Sequence, residues 1–119
     1  MSQLTQKDLT PAEVAQQLAD RSIILIDVRE PQEYAAERIH GALLFPLSTF
    51  DPAALPAPAS RQIVFHCGSG KRSATAVARC IEAGLAHHSH MAGGIQAWKS
   101  AQLPTIALDP ASGTVRDLK

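Results

Sequence analysis

The sequence predicts an α/β fold in which a central, mainly parallel sheet carries helices on both faces. Two observations predict it. The apolar runs Ile23–Ile26, Ala42–Phe45 and Ile63–Phe65 lack the polar alternation of a strand with one wet face, so each reads as a strand covered on both sides. Segments of helical spacing lie around these runs. Strands that alternate with helices pair in parallel, and ligand sites of such sheets lie beyond the carboxyl ends of the strands.

The elements follow in order. Thr10-Pro11-Ala12-Glu13 is a helix start: Thr10 caps, Pro11 suits the first helical position, and Glu13 closes a capping box, so a helix is expected to about Ala19. The first buried strand, Ile23–Ile26, ends in Asp27-Val28-Arg29-Glu30-Pro31, and a short helical turn covers Pro31 to Ala36. After the second run, a Pro- and Ala-rich connection from Asp51 to Ser60 leads to the third. Beyond Cys67, residues Ala74, Val77, Ala78, Ile81 and Leu85 recur at helical spacing, and Gly84 marks the stop. A short strand is expected over His88 to Met91, and Gly93-Gly94 opens a last helix with Trp98 as its core anchor. Residues 1–104 read as a single domain. Residues 105–119, with Pro110 and Gly113 and no periodicity, read as an extended or mobile tail.

Composition narrows the function. A chain of 119 residues can bury one core without a disulfide or metal staple, and its formal net charge of +0 gives no general field for nucleic acid or an anionic membrane. No apolar run is long enough to span a bilayer, and the first residues lack the apolar core of a secretory signal, so a cytoplasmic location is expected. Two cysteines, Cys67 and Cys80, are too few for a disulfide framework. No metal or other cofactor is expected.

Chemistry concentrates in Ile63–Ala74, IVFHCGSGKRSA. If Gly68, Ser69 and Gly70 curl between strand and helix, several backbone N–H groups converge on one centre and form an anion-binding nest. The helix starting near Arg72 or Ser73 adds its positive end, and Lys71 and Arg72 add charge. These effects favour a Cys67 thiolate. A thiol of pKa ~8.5 is only about 3% ionised at neutral pH, whereas one brought to about 6.5 is roughly three-quarters ionised. The loop therefore offers a nucleophile without a histidine base. A buried structural cysteine is the competing reading, but such a cysteine has no use for the glycines or the basic pair.

The runs DVREPQEYAAERIHGA, VFHCGSGKRS and MAGGIQAW, with the closing Leu103-Pro104, resemble the rhodanese (sulfurtransferase) family over roughly Leu4 to Pro104. The resemblance implies a rhodanese-like fold and a cysteine, here Cys67, that cycles between thiolate and persulfide. It implies an anionic sulfur donor such as thiosulfate, held by Gly68, Ser69, Gly70, Lys71, Arg72 and Ser73, and a thiol, cyanide or protein acceptor. The opening C-G-S-G resembles mercaptopyruvate-using members, whereas Lys71-Arg72-Ser73 resembles small single-domain bacterial rhodaneses.

Two other readings stay open. His66-Cys67 with Arg72-Ser73 also resembles the cysteine phosphatases and arsenate reductases, but their signature is C-x5-R and this loop is C-x4-R, a cradle contracted by one residue. A persulfide carrier or interaction module is the third. Asp27, Arg29, Glu30 and Glu33 read as a strand-end ion-pair and capping cluster, His40 as a turn residue, and His87, His88 and His90 as a partly exposed strand region rather than a zinc site. Cys80, about two helical turns past the loop and on the order of 10 Å from it, reads as a packed core thiol.

Overall fold

The computed structural model describes residues 4–56, 61–108 and 115–118. In chain order the elements are β1 (Lys7–Leu9), α1 (Pro11–Ala19), β2 (Ile23–Asp27), α2 (Pro31–Ala36), β3 (Glu37–Arg38), β4 (Leu43–Leu44), β5 (Gln62–His66), α3 (Lys71–Glu82), β6 (Ser89–Met91), α4 (Gly94–Ser100), β7 (Thr105–Leu108) and β8 (Val115–Leu118). Short 3-10 turns at Leu47–Thr49 and Pro52–Ala54 interrupt the connection from β4 to β5. Residues 57–60 of that connection lie outside the described residues.

The main sheet has five strands in the order β1-β6-β5-β2-β4, and every bonded pair runs parallel. Its centre is β2 and β5, where Ile23 to Asp27 pair residue by residue with Gln62 to His66. Alternate side chains of these strands serve opposite layers. Ile23, Leu25 and Val64 pack with Val14 of α1 and Ile95 and Trp98 of α4. Ile26, Ile63 and Phe65 pack with Ala76, Val77 and Cys80 of α3. Each such buried side chain contributes about 2 kcal/mol, and a slip of one residue in β2 would turn both sets toward the wrong helices, so the register is firmly held.

Helix α1 begins as its sequence dictates. Thr10 Oγ1 accepts the Glu13 amide at 3.1 Å and Glu13 Oε1 accepts the Thr10 amide at 2.9 Å, while Pro11 occupies a position that needs no donor. The expectation for α3 needs correcting. The helix starts at Lys71, its buried stripe is Ser73, Ala76, Val77 and Cys80, and Ala78 faces solvent. The third layer of the fold was also unforeseen. β3 and β7 pair antiparallel, as do β7 and β8, in a small second sheet. The segment expected as a tail from residue 105 is thus extended over 105–108 and 115–118 and hydrogen-bonded as strand; Pro110 and Gly113 lie outside the described residues. Glu37 ties this layer down: its carboxylate accepts Lys99 Nζ at 2.9 Å and Thr105 Oγ1 at 2.5 Å, and its carbonyl accepts Arg29 Nη2 at 2.6 Å. Among the described residues no helix is long and apolar enough to cross a membrane.

Candidate active site

Cys67 follows β5 directly, at the carboxyl end of the sheet, and residues 68–70 carry the chain into α3. The turn closes on Gly70, whose φ of +104° is a left-handed conformation that suits glycine. This geometry bends the loop around the cysteine sulfur. The Gly70 and Ser73 amides donate to Cys67 Sγ at 3.1 and 3.3 Å, and Sγ lies 3.6 Å from Ser73 Oγ. Cys67 itself is fully buried. Burial pushes its thiol up, yet the hydrogen bonds from the Ser73 amide, the Ser73 side chain, and the Gly70 and Ser69 amides more than offset this and bring it below the ordinary value. The sulfur sits at the amino-terminal end of α3, where the helix field favours the anion as well.

A second helix clamps the loop from outside. The Ile95 amide donates to the Cys67 carbonyl at 2.8 Å and the Gln96 amide to the Gly68 carbonyl at 3.1 Å, so the exposed end of α4 is satisfied by the loop rather than by a cap side chain. Gly94 makes this approach possible. A Cβ there would stand 2.3 Å from the Cys67 carbonyl oxygen and 2.6 Å from the Gly68 carbonyl. The Gly93-Gly94 pair therefore fixes where the loop carbonyls point and, through them, where the loop amides point.

The predicted loop residues do not all serve the sulfur alike. Gly70 and Ser73 contact it directly. Gly68 is half-buried, and Ser69 and Lys71 are exposed at the rim. Arg72 turns to Glu33 of α2 in a two-pronged ion pair, Nη1 to Oε1 at 2.6 Å and Nη2 to Oε2 at 3.0 Å. Its guanidinium still borders the loop, since a Cβ on Gly68 would lie 3.2 Å from Arg72 Nη2. Hydrogen bonds from Arg72 hold the Glu33 carboxyl down at about 2. Glu33 also caps α2 by accepting the Glu30 amide at 3.0 Å, so one carboxylate joins α2 to the loop.

Beneath the loop, Asp27 and Arg29 form a buried pair, with Nη2 to Oδ2 at 2.8 Å and Nε to Oδ1 at 3.0 Å. The strand-end reading of these two residues agrees with their placement. His66, also buried, points its Nδ1 at the Cys67 carbonyl at 3.3 Å; its Nε2, 3.5 Å from Asp27 Oδ2, makes no hydrogen bond. Burial pushes the His66 imidazole down, the nearby Asp27 charge opposing it only in part.

His90 is where sequence reasoning fell short. It is not partly exposed: it is buried in β6, and its Nδ1 lies 2.8 Å from Ser73 Oγ while its Nε2 lies 2.9 Å from Asp8 Oδ1. A histidine is thus joined to the cysteine through one hydroxyl, in a site expected to have none. His88, two residues earlier, turns instead to the Thr5 carbonyl at 3.0 Å. Among the described residues no His, Cys, Asp and Glu side chains gather as a metal would require. Cys80 is buried against α3's core partners, and burial pushes its thiol up to about 11, which keeps it protonated and unreactive. His40 is exposed in a turn and Trp98 is buried, its Nε1 donating to the Pro104 carbonyl at 2.8 Å.

Comparisons with known proteins place the chain in one family. The rhodanese-like domain family model matches residues 10–101. An uncharacterized protein of Synechocystis is 40% identical over 89% of this chain, and the chain spans only 60% of that relative's length. A protein of Allochromatium vinosum named sulfurtransferase is 35% identical, over 79% of this chain and 89% of its own. Among solved structures, a rhodanese-related protein of Thermoplasma volcanium superposes with a TM-score of 0.71 at 25% identity, covering 86% of this chain and 97% of its own. The fold and the matched span agree, and this chain belongs to the rhodanese-like domain family.

Proposed function

We propose that the protein is a sulfurtransferase that carries sulfane sulfur on Cys67. The observation that supports this most is the sulfur's surroundings: a buried Sγ that accepts the Gly70 and Ser73 amides is held as a thiolate by groups that would equally hold a persulfide anion. The thiolate attacks the outer sulfur of an anionic donor, thiosulfate being the simplest. An Sγ–S bond forms, the donor's S–S bond breaks, and its electron pair leaves on sulfite. A cyanide or thiolate acceptor then attacks the terminal sulfur, and Sγ takes its electron pair back. Gly68, Ser69, Lys71 and Arg72 form the rim that meets the donor, with Lys71 and Arg72 supplying charge. Relatives named sulfurtransferase support the reading, and a pair of free thiols suits the reducing cytoplasm.

The phosphatase alternative fits less well. A phosphoryl group needs an arginine fork turned into the loop, and here the Arg72 fork is committed to Glu33. Intact mass after brief exposure to thiosulfate and, separately, mercaptopyruvate tests the reading. The parent and Cys80→Ser should gain one sulfur atom and Cys67→Ser none. Cys67-dependent hydrolysis of an aryl phosphate would overturn it in favour of the alternative. Sulfur gain without transfer to cyanide or a thiol would replace the enzyme by a carrier.

A further inference from the structure

Four side chains, from three elements and the loop after β5, form one hydrogen-bonded line. Cys67 Sγ lies 3.6 Å from Ser73 Oγ, Ser73 Oγ 2.8 Å from His90 Nδ1, and His90 Nε2 2.9 Å from Asp8 Oδ1. The sheet register creates it. β1 and β6 pair with Asp8 opposite His90, so both side chains project from the same face, the one that α3 covers. The inner members are closed off, with the Cys67, Ser73 and His90 side chains buried, whereas Asp8 is 59% exposed. The line runs from a sealed sulfur to open water.

We propose that Ser73 relays the Cys67 proton to His90, which Asp8 holds in place, so that the sulfur ionises as a thiolate paired with a His90 imidazolium. The inference rests on Cys67 being the nucleophile. In the neutral state Sγ–H donates to Ser73 Oγ, the Ser73 hydroxyl, which also has the Gly70 carbonyl as an acceptor at 3.2 Å, turns to the shorter contact and donates to Nδ1 at 2.8 Å, and Nε2–H donates to Asp8. Moving one proton along each of the first two links gives Nδ1–H donating to Oγ, Oγ–H donating to a thiolate, and Nε2–H still donating to Asp8. Atoms and charge balance, and every donor has an acceptor in both states without movement of a heavy atom. In the second state the imidazolium lies against the Asp8 carboxylate, and the thiolate retains the Gly70 and Ser73 amides.

The surroundings of His90 single out this path. Asp8 faces it from β1, Ser73 from α3, and Cys67 lies beyond Ser73 on the loop after β5; Gly70 closes the remaining side, its would-be Cβ 3.9 Å from the ring. Among the described residues no other charged side chain bonds to it. Gln6 donates to the same Asp8 oxygen at 2.8 Å, and this bond, then the one from His90, holds the Asp8 carboxyl below its ordinary value. His66, the other buried imidazole near the loop, contacts the Cys67 carbonyl rather than its sulfur. Ser73 touches the reacting atom, and His90 and Asp8 act through it as positioning residues.

The test is a pH titration of thiolate ultraviolet absorbance in a Cys80→Ser background, comparing the parent with His90→Asn and Asp8→Asn. Asparagine keeps an acceptor toward Ser73 but cannot hold the proton. At about pH 6 the His90→Asn protein should show about tenfold less thiolate than the parent, and Asp8→Asn about threefold less, with full ionisation in both at alkaline pH. Nitrogen chemical shifts of the parent's imidazoles should show His90 protonated on both ring nitrogens at pH values where Cys67 is already a thiolate, and losing one of these protons only at higher pH. Superimposable titrations would overturn the relay, as would a His90 ring that is already neutral at every pH where Cys67 is a thiolate. If His90→Asn fails to fold by circular dichroism, Asp8→Asn, altered only at an exposed carboxylate, decides by the same criterion. Sulfur gain by mass is followed in parallel. Its absence from the parent would count against Cys67 as the sulfur carrier whatever the titrations show, so the two failures are distinguishable.

Discussion

The contact between α4 and the loop makes a quantitative prediction for Gly94→Ala. The added Cβ would lie 2.3 Å from the Cys67 carbonyl oxygen and 2.6 Å from both Gly68 C and O, all backbone atoms that cannot rotate away. Ordinary contact needs about 3.4 Å or more, so helix and loop must separate by about 1 Å. Gly94 also has φ +60°, where alanine costs about 1 kcal/mol. Gly84 supplies the control: its φ is +78°, but a Cβ there meets nothing within 4 Å. Gly84→Ala should therefore cost only the backbone part, about 1 kcal/mol, while Gly94→Ala adds an overpacking cost of about 2 kcal/mol or more. Urea unfolding of both variants reads the difference. A second readout is the rate of sulfur gain by the folded protein, which should fall by about a hundredfold in Gly94→Ala and little in Gly84→Ala, since the loop amides shift with the carbonyls. If the two variants unfold within about 0.5 kcal/mol of each other, the α4 clamp does not hold the loop.

Two further substitutions probe the ion pairs. Because Arg72 depresses the Glu33 carboxyl in the folded protein to about 2, its contribution is present above the unfolded carboxyl's range and is lost as pH falls through about 5 toward 2. Both side chains are about one-third exposed, so the parent should lose only about 1 kcal/mol over that window and Glu33→Gln should not; urea midpoints at about pH 6 and pH 3 measure it, and equal acid sensitivity refutes it. Asp27→Asn leaves Arg29 buried without its carboxylate and should cost about 3 kcal/mol in the same assay, with part recovered by adding Arg29→Met; a cost below about 1 kcal/mol would show that the pair is not needed.

What could be read in the sequence was local. The α1 capping box, the unbroken apolar run of β2 and the glycine turn after Cys67 each lie within a few residues, and their physics does not depend on the rest of the chain. β1 was missed for the opposite reason. Of its three residues only Leu9 is buried, and it becomes a strand only because β6 lies alongside. The same holds for β3 and β7, whose pairing joins Arg38 to Ile106. In the site, the Gly70 and Ser73 amides follow from loop spacing. The partner of Arg72 was not legible, because the sequence gives no sign that Glu33, 39 residues away, is opposite it. His90 reads as partly exposed for want of the register that sets Asp8 beside it. A histidine three positions before a Gly-Gly helix start, with a serine six residues after the cysteine, was the available signal.

The clamp of α4 on the loop has a consequence for biosynthesis. A ribosome releases Cys67 and the whole of α3 before residues 89–96 emerge, and during that interval the Ser73 hydroxyl lacks His90 and the loop carbonyls lack the Ile95 and Gln96 amides. The nascent thiol then has its local amides, but nothing yet fixes the carbonyls on which their direction depends. The rigid form of the loop arrives with the docking of β6 and α4, late in synthesis. A product truncated before Gly93 would carry the cysteine and its loop but not the clamp that holds them.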